Sequence, residues 1–403
     1  MKPATPLPCL AMLLWMSLLA CSKDNNTTEP PPATTEVKLP TLVADSVGSI
    51  TTSTASFFGR ITDKGGGVIT DRGIYWGKTA NPTQNKLTAN LYKSNGEFIV
   101  DIKNLEPNTT YYVRGYAINS KGTAYTPDVP FNTTGVPVAE MFTDTAYAAG
   151  ATTLFVAGKV IDTKGIGLKE TGICLSKNNN PTIADTKVAA GSNELSLFLR
   201  FNGLEPATDY YIRAYSTNVY GATAYGSPVK VATIQKGNVT YTLAQNANPT
   251  AEESAAYARI KTAFDEAVAY YNEFTSNTKT LSVTYNTGVA TADANFAGNI
   301  RVGPNAGYQR TGTALHEIAH TMGVGQHWYW TSNLIIGGVY QGVQANKLLR
   351  FMTRNPAESL KGDNLHFWPY GINGASEDTG QEMLYITNVL VMQGMKKDGL
   401  PSN

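Results

Sequence analysis

His316 and His320 stand four residues apart, with Glu317 next to the first of them. On a helix, side chains at i and i+4 stack on one face, so two imidazoles at this spacing can grip a single cation. Glu317 then lies beside that cation rather than on it. A carboxylate so placed can take a proton from water polarised by the cation and later return it, which is hydrolytic chemistry. The chain has 403 residues but only 4 histidines, and His316, His320, His327 and His366 all fall in one C-terminal stretch. A random scatter would not put them there.

The elements that must hold these groups can be read from the surrounding pattern. Thr313, Ala314, Leu315, Ile318, Ala319 and Met322 give the histidine segment packing positions, and Gly323 and Gly325 supply a stop just past His320. From about Gly237 the order is strand, helix, strand, strand, helix. GNVTYTLAQ alternates as a strand. The long helix that follows opens at Pro249 and Thr250, carries Glu252 and Glu253 in its first turn, and presents Ala256, Ile260, Ala263, Phe264, Ala267 and Tyr271 along one side. TLSVTYN and GNIRVGP are two more strands, the second leading through AGYQRTG into the histidine helix. VQANKLLRFM is a further helix, and the tail contains another with Met383, Ile386, Val389, Leu390 and Met395 at core spacing.

HEIAH is the HExxH arrangement of zinc hydrolases, and HEIAHTMGVGQH resembles the metzincin pattern HExxHxxGxxH. Gly323 falls where the family's glycine falls. Gln326 occupies the expected third-ligand position, and His327 comes one residue later. Pairing this run with HFWPYG downstream resembles a group of secreted bacterial zincin-like proteins, over roughly the last 150 residues. The resemblance implies an α+β zincin-like domain over 236–403 that binds Zn2+ through His316 and His320, with Glu317 as general base. In such domains a strand near the metal helix pairs with extended substrate, and the strand over 299–303 is the candidate. Metzincins also place a methionine turn beneath the metal, for which Met352 or Met383 is available. Tyr370 is the candidate hydroxyl for a tetrahedral oxyanion.

Three candidates remain for the third ligand. His366 sits in DNLHFWPYG, where Pro369 stiffens the chain, Asp363 is available as an outer acceptor, and aromatic neighbours can exclude water. His327 is nearer in sequence but turned by one residue relative to the family pattern, and Glu377 is the carboxylate option. Of these, His366 is preferred.

Laying the chain on itself exposes a repeat of about 99 residues. LEPNTTYYVRGYAINSKGTAY recurs as LEPATDYYIRAYSTNVYGATAY, Asn81-Pro82-Thr83 as Asn180-Pro181-Thr182, Gly73-Ile74 as Gly172-Ile173, and Gly59 as Gly158. In YYVRGYAIN, Tyr112, Arg114 and Tyr116 alternate with Tyr111, Val113 and Gly115, as a strand with two different faces requires. These units, over 39–135 and 136–235, resemble fibronectin type III or Ig-like all-β sandwiches. Ligand or glycan binding is one role for them. A spacer is preferred, because the aromatics fit strand cores, Trp76 included, and no loop concentrates charge.

Lysine plus arginine (32) balances aspartate plus glutamate (31), leaving no basic field to draw nucleic acid. Lys2, an apolar stretch and Leu18-Leu19-Ala20-Cys21 resemble a lipoprotein signal peptide over 1–20, with Cys21 as the lipidated first residue. The polar, proline-containing segment 21–38 is a tether, and its Lys23-Asp24 resembles the export tags of surface lipoproteins in Bacteroidetes-type bacteria. Removing the leader leaves Cys21, committed to lipid, and Cys174, so no intramolecular disulfide is available. The expectation is an outer-membrane lipoprotein displayed on the cell surface, monomeric, hydrolysing peptide bonds in extracellular protein or glycoprotein. The rival is an adhesin or glycan-binding protein with an inactive zincin-like domain, against which the intact Glu317 argues.

Overall fold

The computed structural model describes residues 36–402, so Cys21, the leader and most of the tether lie outside the described residues. The described chain forms two compact units that divide after Gly135.

In the first unit, Thr41–Gly48, Ala55–Asp63, Glu97–Ile102 and Leu91–Tyr92 make one antiparallel sheet. Asn85–Thr88, Asp71–Gly77 and Thr110–Asn119 make the other, with Gly122–Tyr125 and Val129–Asn132 sharing the far edge of Thr110–Asn119. Phe57, Ile74, Phe98, Ile102 and Val113 fill the space between them. Trp76 is partly buried against this core, with its ring 5.6 Å from that of Tyr111.

The second unit begins with the same plan. Glu140–Ala149, Leu154–Asp162 and Ser196–Phe201 face a sheet built on Leu168–Ser176 and Asp209–Asn218. The sequence repeat thus becomes a structural one, and Thr110–Asn119 and Asp209–Asn218 have the same residue-by-residue burial pattern. Each repeat also closes its corner alike: the Tyr111 hydroxyl accepts the Glu106 N–H at 3.0 Å, and the Tyr210 hydroxyl accepts the Glu205 N–H at 3.0 Å. Cys174 is buried in its strand, where burial pushes the thiol up to about 12 and leaves it unreactive.

From Asn238 the second unit becomes α+β. A four-stranded sheet runs in the order Asn238–Ala244, Thr278–Tyr285, Asn299–Val302, Ala292–Ala294, with only the last strand antiparallel to its neighbour. Helix α1 (Ala251–Phe274) crosses between the first two strands, and Thr250 and Glu253 cap it reciprocally. Its buried side carries Ala256, Ile260, Phe264, Ala267 and Tyr271, the face expected from the spacing. Helices α2 (Thr311–Thr321), α3 (Val343–Thr353) and α4 (Glu382–Lys397) complete the domain.

The second sandwich does not stand apart from this α+β part as a spacer would. Ala148, Phe155 and Ala157 belong to the same buried cluster as α1, α2 and α4. Phe155 lies 6.4 Å from Phe274, Phe198 lies 5.4 Å from Phe351, and Arg200 pairs with Glu382 at 2.8 Å. The Glu273 carboxylate accepts both the N–H and the hydroxyl of Thr152 at 2.8 and 3.0 Å. Exposing three apolar side chains of this cluster costs roughly 3 kcal/mol or more. A chain starting at residue 236 is therefore expected to melt about 10 °C below one starting at residue 136, or to aggregate. Scanning calorimetry of the two decides it, and equal melting temperatures would restore the spacer role.

Candidate metal centre

Helix α2 starts at a position its own sequence does not cap, since Arg310 makes no capping side-chain bond. Asp378 supplies the cap from far along the chain. Its buried carboxylate accepts the Gly312 N–H at 3.0 Å, pairs with the Arg310 guanidinium at 2.7 Å, and accepts the Tyr385 hydroxyl at 2.6 Å. A Cβ at position 312 would stand 2.4 Å from that carboxylate, so glycine is what lets it approach. Farther along, the Tyr271 hydroxyl of α1 donates to the Leu315 carbonyl at 3.2 Å, fixing the rotation of α2 over the sheet. Asp378→Ala is expected to destabilise the protein by about 2 kcal/mol, the cost of a lost cap and of a buried Tyr385 hydroxyl left without its acceptor. An unchanged urea midpoint would rule out this anchoring role.

Past His320 the chain turns through Gly323 (φ 102°) and Gly325 (φ 64°), backbone conformations that side chains resist. This turn brings the Val324 carbonyl to His320 Nδ1 at 2.8 Å. It also brings the chain against the hairpin of Lys361–Gly362 and Phe367–Trp368, where a Cβ on Gly325 would meet the Leu365 carbonyl at 2.4 Å. His366 sits in that hairpin. Asp363 Oδ1 holds its backbone by accepting the N–H groups of Leu365 and His366 at 2.8 and 2.7 Å.

The structure thereby brings three of the four histidines together. His316, His320 and His366 place one ring nitrogen each within 4.8 Å of the others. His316 Nδ1 lies 3.1 Å from the Gly371 carbonyl, and His320 Nδ1 faces the Val324 carbonyl. A carbonyl only accepts, so both Nδ1 atoms carry hydrogen and both Nε2 lone pairs point inward, 3.1 Å apart. Burial and the neighbouring imidazoles push His316 down to about 3, and burial also lowers His320, so both are neutral. Facing lone pairs repel unless a cation lies between them, and three converging imidazoles are a donor set that suits zinc.

Glu317 completes the fit. It is 4% exposed, its Oε2 has no hydrogen-bond partner, and burial together with the Asp293 charge pushes its carboxyl up to about 8. It lines a cavity of about 260 Å³ shared with the three histidines, Asp293, Tyr308, Gln326 and Asn373. A buried carboxyl with a free oxygen and a raised pKa, beside a cation-shaped donor set, has the properties of a proton-transfer group.

Several expected residues lie elsewhere. His327 stands outside the trio: its ring packs 5.1 Å from Phe296, and its Nδ1 accepts the Tyr329 N–H at 3.2 Å. The extra residue after Gly323 directs it away, leaving Gln326 lining the cavity. Glu377 is also outside, accepting the Asn373 N–H at 2.9 Å. Tyr370 does not line the cavity. Its φ is 69°, Asn388 holds its carbonyl at 2.7 Å, and with Met352, Trp368 and Met383 it faces a second cavity of about 700 Å³. Neither methionine lines the cavity of the trio, and it is the turn through Gly371 that meets His316, with its carbonyl 3.1 Å from Nδ1. The phenol that lines the cavity is Tyr308, in the short turn before α2, which the polar run AGYQRTG did not single out. The edge strand needs correction as well. Asn299–Val302 is internal, paired on both sides, and the free edge belongs to Ala292–Ala294, which itself borders the cavity.

No protein-family model matches the chain, and no curated protein matches it. Among solved structures, the crystal structure of chicken CNTN1 FN1-FN3 domains matches at 17% identity, covering 49% of this chain and 69% of that chain with a TM-score of 0.22. So loose a superposition carries no argument, and the β-sandwich architecture of the two repeats rests on the strand pairing and burial described above.

Proposed function

We propose that residues 236–403 form a zinc-dependent endopeptidase domain of the HExxH type, carried behind two fibronectin type III-like sandwiches, and that its substrate is an extracellular protein or glycoprotein. The observation that carries this reading is the convergence of His316, His320 and His366 beside a buried Glu317 with a partnerless oxygen, in one open cavity. His316, His320 and His366 would hold the ion. When bound, zinc supplies a Lewis acid that polarises a scissile carbonyl and lowers the pKa of water.

The chain's own groups do the rest. The free edge of Ala292–Ala294 offers backbone hydrogen bonds that align an extended peptide along the cavity. Glu317 takes a proton from the attacking water and delivers it to the leaving amine, a role suited to a buried carboxyl with an oxygen free of protein partners. Tyr308 brings a phenol hydroxyl to the cavity wall, available to a developing oxyanion.

The test is cleavage of casein and of a mucin glycoprotein by the purified protein, before and after chelation and after zinc is restored. Chelator-sensitive cleavage restored by zinc is expected. Glycoprotein binding without cleavage under any metal condition would favour the adhesin reading instead.

A further inference from the structure

His327, set aside as a ligand, belongs to a second feature next to the cavity. Its ring lies 5.1 Å from that of Phe296 and 5.7 Å from that of Trp328. Trp328 is 66% exposed, an unusual position for so large an apolar surface. The two segments that border the cavity run directly into this row: the strand Ala292–Ala294 continues to Phe296, and Gln326 continues to His327 and Trp328. The row therefore adjoins the cavity along both segments, within one or two residues of its lining.

It is also held in place. The Phe296 turn is closed by Asn295 N–H to the Asn299 carbonyl at 3.1 Å and Gly298 N–H to the Asn295 carbonyl at 3.0 Å. His327 is pinned by its own N–H to the Gly323 carbonyl at 3.1 Å and by the Tyr329 N–H on its ring. A platform fixed before ligand arrives loses little freedom on binding. Its charge limits what it can take. The Lys279 ammonium lies 4.5 Å from the centre of the Phe296 ring and repels a second cation there. Asn295 and Gln326 beside it are neutral, and the Asp293 carboxylate is already engaged by the Arg301 guanidinium at 2.8 Å. An extended peptide paired with Ala292–Ala294 points every second side chain to the same side, so one of them comes over this row.

We infer that Phe296, His327 and Trp328 form a specificity shelf that receives one large uncharged apolar or aromatic side chain of the substrate peptide. The inference rests on the peptidase reading for its substrate class. It is tested with the full zinc-loaded chain and a fluorogenic peptide set in which each position flanking the scissile bond is varied among Phe, Leu, Ala, Lys and Asp. One position should prefer Phe or Leu over Ala by about tenfold or more in kcat/KM and reject Lys. In Trp328→Ala and in Phe296→Ala that preference should fall below about threefold. Wild-type cleavage with no such position, or a preference that survives both substitutions, overturns the shelf.

Calorimetric binding of the same peptides to Glu317→Gln protein separates this failure from that of the peptidase reading. Phe peptides bound but never cleaved, with binding lost in Trp328→Ala, would keep the shelf and remove the peptidase. A glycopeptide bound in preference to every Phe peptide would overturn the proposed occupant, and no binding at all would overturn both.

Discussion

Glu317→Gln is expected to keep its fold and its metal and to lose hydrolysis by about 10²–10⁴-fold, the range a positioned general base contributes. The substitution preserves shape while removing the ionisable group, whose Oε2 has no partner within the protein. A buried carboxyl left without a partner weakens the fold, so its retention makes sense only if something from outside the chain meets it. The same environment gives a second readout in the metal-free protein. With the folded carboxyl near 8 against an ordinary value of 4.5, the native state keeps a proton that the unfolded chain has already released between those pH values. Stability of the metal-free protein should therefore fall as pH rises across that window, and Glu317→Gln should flatten the slope. Activity in the variant equal to wild type would remove Glu317 from the chemistry.

The parts of this site that could be read from sequence are those fixed by local spacing. HEIAH fixes two imidazoles on one helical face, and Thr250 with Glu253 marks the start of α1, because both depend on residues within one turn. The repeat was legible because each sandwich copy re-creates the same strand faces. What was missed depends on tertiary contact. Ala292–Ala294 is three residues long, too short to establish a period, so nothing local identifies it as an edge strand, whereas GNIRVGP carries the stronger pattern. Tyr370 looked available because its neighbours are aromatic, but its left-handed backbone and the Asn388 bond turn it from the cavity. Phe155 and Phe198 read equally well as sandwich residues or as a surface that meets α1 and α3, and the alternating pattern cannot tell which body covers an apolar face. Asp378 was invisible as the cap of α2, because it reaches Gly312 from 66 residues away.

The proposed third ligand shows how such a long-range contact can still be tested one side chain at a time. His366→Ala is expected to lower zinc affinity by far more than the roughly 10–100-fold that loss of an outer-shell partner costs, and to abolish activity with it. Asp363→Ala, which frees the hairpin N–H groups while leaving the His366 ring, should fall within that 10–100-fold range. His327→Ala should bind zinc like the wild type, since its ring contacts Phe296 and Trp328 and lies outside the trio. Metal content by mass spectrometry and competition against a calibrated chelator order the three variants. The order matters physically: in a zincin-like helix, a histidine three residues beyond the glycine would complete the site within one turn of chain, whereas here that place is held by Gln326, a poor zinc ligand. The Gly325 turn against Leu365 is then what makes the site possible, because it docks the distant hairpin onto the end of α2 and delivers His366 to the two helical imidazoles. If only His327→Ala strips the metal, the hairpin is a wall of the cavity and the ligand set is wrong.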